Sequence, residues 1–190
     1  MKKRLYVFFI IVICFLIIGF FLYNLLTTVI HIEKFAIDEL ISFDIDNDDN
    51  KEQIKVSVKV LSDENITNSS LQSKILNLNS KKEITITINN KNYIFITEKG
   101  ESVMDLAIAD LNLDNNFELL VCVYDDKISP SYRRWNIYQY SNNDLTFVKN
   151  IYDGHITYNK LINKLKVTFN LHETIKPMTE TVFYNMDFLK

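Results

Sequence analysis

Two acidic stretches of this chain, 66 residues apart, read almost alike: Asp44-Ile45-Asp46-Asn47-Asp48-Asp49-Asn50-Lys51-Glu52 and Asp110-Leu111-Asn112-Leu113-Asp114-Asn115-Asn116-Phe117-Glu118. Each sets oxygen-bearing side chains at positions 1, 3, 5 and 9, the alternation by which one tight loop wraps a hard cation such as Ca²⁺. The likeness runs on both sides. With Asp44 on Asp110, Leu40 falls on Leu106, Ile45 on Leu111, Glu52 on Glu118, Ile54 on Leu120 and Val58 on Tyr124. What recurs is therefore a loop together with its flanking strands, and the period fits a unit of several strands. Two copies are too few for a closed ring.

The strands themselves are legible from alternation. From Glu52 to Leu61, Ile54, Val56, Val58 and Val60 share one face, and Lys55, Ser57 and Lys59 the other, the period of a half-buried strand. Glu83 to Ile88 and Tyr93 to Thr97 flank Asn89-Asn90-Lys91-Asn92, and Arg134 to Tyr140 and Leu145 to Ile151 flank Ser141-Asn142-Asn143-Asp144. Both read as hairpins, since Asn tolerates the positive φ that tight turns require. Phe117 to Tyr124, Lys164 to Leu171 and Glu180 to Asn185 complete the set. Asn68 to Leu78 is the one segment that reads as a short helix, so an all-β, mostly antiparallel domain is expected over 31–190, with repeats at about 37–100 and 101–190.

Before it, Lys2, Lys3 and Arg4 precede an uncharged run from Leu5 to Ile30. As a helix, Leu5 to Leu26 matches a hydrocarbon layer of about 30 Å. The run is long for a signal peptide and has no A-x-A pattern. The expectation is an N-terminal transmembrane helix or uncleaved signal over 1–30, a cytoplasmic N-terminus and an extracytoplasmic domain, following the positive-inside rule. His31 to Lys190 holds 18 basic and 24 acidic residues, net −6, which argues against nucleic acid. With Cys14 in the apolar run and Cys122 in a strand, no internal disulfide is expected, leaving the core or a metal to hold the domain.

The pattern D-x-[DN]-x-D-x-x-x-E followed by an apolar strand, as in Asp110 to Val123, resembles the calcium loop of VCBS and FG-GAP type repeats, which build β-propellers of integrin-like and bacterial surface proteins. The resemblance covers the two loops and their neighbouring strands. It implies β-propeller-blade-like sheets in which the loop joins two strands of a blade. It also implies a Ca²⁺ ligand set of Asp44, Asp46, Asp48, Glu52 and the carbonyl of Asn50, then Asp110, Asn112, Asp114, Glu118 and the carbonyl of Asn116. Position 6, usually Gly in that family, is Asp49 or Asn115, among the best non-glycine residues for a left-handed backbone. An EF-hand is excluded, because it needs a Glu at position 12, where Lys55 or Val121 stands, and helices on both sides.

Asp and Asn also build plain solvated turns. Two loops in register, with five carboxylates in nine residues at Asp44 to Glu52, favour the metal, because unneutralised charges so close repel. Elsewhere the chemistry thins out. His31, His155 and His172 lack H-E-x-x-H spacing, and Tyr152-Asp153-Gly154-His155 reads as a turn. Ser69, Ser70 and Ser131 lack a nucleophile-elbow context. Ser131-Tyr132-Arg133-Arg134-Trp135 reads as an edge strand with Trp135 turned inward, the rival being a recognition patch. The expected function is a membrane-anchored, calcium-binding structural or interaction module of the cell envelope, not an enzyme. Its partners would be the membrane and another envelope protein or polymer. The alternatives are a metal-assisted hydrolase using the Asp44 loop and a non-catalytic subunit of a larger membrane assembly.

Overall fold

The structure is a computed structural model and describes residues 2–61, 80–125, 133–172 and 177–189. The segment expected as a helix at Asn68–Leu78, with Ser69 and Ser70, and the residues Ser131 and Tyr132 lie outside the described residues.

Among the described residues one α-helix, α1 (Lys2–Leu26), precedes thirteen strands, β1 (Thr27–Val29), β2 (Glu33–Phe35), β3 (Leu40–Phe43), β4 (Glu52–Leu61), β5 (Lys81–Ile88), β6 (Lys91–Ile96), β7 (Glu101–Ala109), β8 (Glu118–Asp125), β9 (Arg133–Ser141), β10 (Asp144–Tyr152), β11 (His155–Asn159), β12 (Lys164–His172) and β13 (Pro177–Asn185), and a 3-10 turn, Met186–Leu189, follows them. They form three antiparallel sheets of order β3-β4-β5-β6, β10-β9-β8-β7-β2 and β1-β11-β12-β13, none closed on itself. The all-β, antiparallel expectation therefore holds. Residues 101–190 supply strands to two sheets, four to the five-stranded one and three to the last.

The five-stranded sheet lies in the middle, and each of its faces feeds a separate core. Along β8, Leu119, Val121 and Val123 join Ile54, Val56, Ile84 and Ile86 of the β3–β6 sheet. The alternate residues Leu120 and Cys122 join Ile156, Leu165 and Val167 of the last sheet, with Trp135 from β9. Adjacent side chains on a strand point to opposite faces, so a strand buried on both sides must be apolar throughout. That is why 119–123 is an unbroken apolar run. The two Asn-Asn hairpins have φ of 47° and 68° at Asn89 and Asn90, and 53° and 59° at Asn142 and Asn143, as two-residue turns of this kind demand. Gly154 is required where β10 turns into β11, because a Cβ there would sit 2.4 Å from the Thr168 carbonyl oxygen.

The single-pass anchor is corrected. Among the described residues no helix is long and apolar enough to cross a membrane. The localisation built on that anchor, N-terminus inside and domain outside, loses its support with it. The end of the uncharged run is not helix at all. Thr27–Val29 pairs with β11, and Ile30 is buried in the core beneath the last sheet.

Cys14 and Cys122 are both free, as expected. Burial pushes the Cys122 thiol up to about 12, and a thiol that cannot ionise is inert. In a Cys14→Ser chain at pH 8, iodoacetamide is expected to leave Cys122 unlabelled until denaturant is added. Rapid labelling of the native chain would show that the middle sheet opens.

Candidate metal centre

Both acidic stretches occupy the same place in the fold: the first joins β3 to β4, and the second joins β7 to β8. Their backbones are the same as well. Positions 4 and 6 are left-handed in each, at Asn47 (56°) and Asp49 (69°), and at Leu113 (58°) and Asn115 (71°). Asn and Asp tolerate that region through their short polar side chains, whereas a leucine there is uncommon and is held by its surroundings. Leu113 packs against the core shared with the last sheet.

The hydrogen bonds repeat residue for residue. Asp44 accepts the amides of Asp48 and Asp49, each at 3.1 Å, as Asp110 accepts those of Asp114 (3.1 Å) and Asn115 (2.9 Å). Asp48 Oδ1 takes the Asn50 amide and Asp114 Oδ1 the Asn116 amide, both at 2.8 Å. At position 9 the glutamate turns inward: Glu52 Oε2 accepts the Ile45 amide at 3.1 Å, and Glu118 Oε2 the Leu111 amide at 3.0 Å. Ile45 and Leu111, at position 2, are fully buried, one in each core.

In the first loop, one carboxylate oxygen from each of Asp44, Asp46 and Asp48 lies within 4.8 Å of the others, a group that can hold a metal ion. Asp46 Oδ1 is buried and without a hydrogen-bond partner. Burial, then the charges of Asp48 and Asp44, raise the Asp46 carboxyl above its usual range, which is the direction expected when like charges converge without a counterion. Glu52 is buried close to the same turn, and Asn50 is exposed at its rim.

The second loop is less charged. Asn112 replaces the central aspartate, and its amide donates to Asp114 Oδ2 at 2.8 Å. Its strongest signal is Glu118, which is 0 % exposed with Oε1 unpartnered. Burial, with the Asp114 and Asp110 charges adding, pushes this carboxyl up to about 8. A buried acceptor left unmade is costly, but among the described residues only Asp44, Asp46 and Asp48 bring three carboxylates together, and Asp110, Asp114 and Glu118 do not form such a group. Asn116 lies at the edge of the same turn.

Trp135 serves the core. Trp135 is 0 % exposed, and its Nε1 donates to Asp153 Oδ1 at 2.8 Å. The inward-facing reading thus holds for Trp135, but β9 is paired with β8 on one side and β10 on the other, so it is not the edge strand expected. Arg134 pairs with Glu101. One set of residues was not foreseen. The Phe117 amide donates to the Ile45 carbonyl at 2.8 Å, and the Phe43 and Phe117 rings meet edge to face at 4.8 Å, so the two loops touch. The alignment of Ile45 with Leu111 marked position 2 as equivalent in the two copies, but no local pattern tells that one copy leans on the other.

No family model, curated protein or solved structure matches this chain.

Proposed function

We propose that this protein is a calcium-binding structural and interaction module, a binding protein rather than an enzyme, built from diverged VCBS/FG-GAP type repeats whose sheets are β-propeller-blade-like. The observation that carries the reading is one hydrogen-bonded frame, repeated in two loops, that gathers oxygen ligands and leaves Asp46 Oδ1 and Glu118 Oε1 unmatched. The position of each loop between two adjacent antiparallel strands, the first in the β3–β6 sheet and the second in the five-stranded sheet, supports the blade-like reading. Ca²⁺ suits the donor set, because it accepts six to eight oxygens in flexible geometry, whereas Mg²⁺ demands a small octahedron. The ligands would be Asp44, Asp46, Asp48, Glu52 and the Asn50 carbonyl, and Asp110, Asn112, Asp114, Glu118 and the Asn116 carbonyl.

The ion would lock two turns that otherwise concentrate like charge, and so hold the sheets in fixed relation. The interaction half of the proposal is supported by β6, the last strand of its sheet, on which Ile94 and Ile96 are 59 % and 60 % exposed. An exposed apolar edge of this kind invites a partner protein.

Millimolar Ca²⁺ is expected to raise the melting temperature of the full chain, and Mg²⁺ much less. At about tenfold excess over Kd the gain is on the order of 1 kcal/mol. Asp46→Ala with Asp48→Ala should erase most of it. If calorimetry shows no Ca²⁺ uptake at millimolar concentration and the double variant melts like the parent, the loops are solvated turns.

A further inference from the structure

We infer that the two loops bind their cations cooperatively, each raising the affinity of the other, through a single hydrogen-bonded path that runs between them. This rests on the calcium reading above and adds a regulatory property to it.

The path alternates hydrogen bonds with short covalent stretches of backbone. Glu52 Oε2 accepts from the Ile45 amide, the Ile45 carbonyl accepts from the Phe117 amide, and Glu118, next in the chain, accepts at Oε2 from the Leu111 amide. Ile45 stands between the ligands Asp44 and Asp46. Phe117 stands between Asn116, whose carbonyl is a ligand, and Glu118. The peptide units on the path are thus the ones that fix ligand positions in both loops. Fully buried Ile45 and the edge-to-face contact of Phe43 with Phe117 hold the junction in place. Glu118 supplies evidence of a ligand independent of the loop geometry, being completely buried with one oxygen unmatched.

An ion in the second loop draws in the Asn116 carbonyl and the Glu118 carboxylate, and so immobilises the Phe117 peptide. That peptide anchors Ile45, and with it Asp44 and Asp46. Part of the ordering that the first loop must undergo on binding is then already done, which is positive coupling without a change of fold. Linkage requires the factor to be equal in both directions.

The test is Ca²⁺ calorimetry on the full chain with each loop disabled in turn, by Asp110→Asn with Asp114→Asn, or by Asp44→Asn with Asp48→Asn. Metal-free melting of each variant checks that the fold is intact. The affinity of the remaining loop is expected to fall roughly fivefold or more, within the usual range of coupling, and the factor should match in the two directions. Phe43→Ala, which leaves all ten ligands, should bring that factor toward one while both loops still bind. Two loops that bind with affinities independent of each other would overturn the coupling and leave the calcium reading standing. No uptake by the parent chain would overturn both.

Discussion

Trp135→Ala is expected to cost about 3–5 kcal/mol of folding stability, the range for removing a large buried aromatic side chain. The ring is fully buried in the core between the middle and last sheets, among Ala107, Leu120, Ile156 and Val167. It also carries the Nε1–Asp153 hydrogen bond, so the change leaves both a cavity and a stranded acceptor. Urea denaturation followed by far-UV circular dichroism measures the loss. At about 2–4 °C per kcal/mol for a chain of this size the melting temperature should fall by roughly 10 °C. Trp135→Phe, which keeps most of the volume, should cost markedly less. A loss below about 1 kcal/mol for the alanine variant would return Trp135 to the surface and revive the recognition patch.

Stability in the presence of a chelator should fall as pH rises from about 5 to 8, and Glu118→Gln should flatten that fall. The Glu118 carboxyl is held near 8 in the fold, mainly by burial, against 4.5 for an unperturbed glutamate. Between those values the folded chain keeps a proton that the unfolded chain has released. The contribution of this group is therefore complete below pH 4.5 and lost as pH climbs through 8. The glutamine retains the carbonyl that accepts from Leu111 but carries no charge to bury, so the variant should be the more stable of the two at pH 8 without metal. With saturating Ca²⁺ the order should reverse, because the charged carboxylate then has its counterion. Parallel pH profiles for parent and Glu118→Gln in chelator would show that Glu118 is not held protonated in the fold.

Which strands were legible follows from burial. β4 was readable to its last residue because Ile54, Val56 and Val58 are buried while Gln53, Lys55 and Ser57 face outward or to the rim. β7 was missed. Its sequence, Glu-Ser-Val-Met-Asp-Leu-Ala-Ile-Ala, has no clean alternation because Leu106, Ala107, Ile108 and Ala109 are all buried, on both faces of the middle sheet. β1 and β2 were missed for a different reason. Three-residue strands carry no period, and their pairing partners, β11 and β7, lie more than 70 residues away.

By itself the sequence determined the local chemistry: two oxygen-rich turns, the Asn-Asn hairpins and the alternating strands, each specified by residues within a few positions of one another. Only the tertiary structure decided three things that depend on partners distant in the chain. It divided residues 101–190 between two sheets, it drew Thr27–Ile30 out of the apolar run and into the β core, and it set the first loop against the start of β8 so that Ile45 and Phe117 share a hydrogen bond. A turn is chosen by the backbone preferences of its own residues. The packing of one sheet on another is chosen by which apolar faces remain to be buried once all the strands have paired.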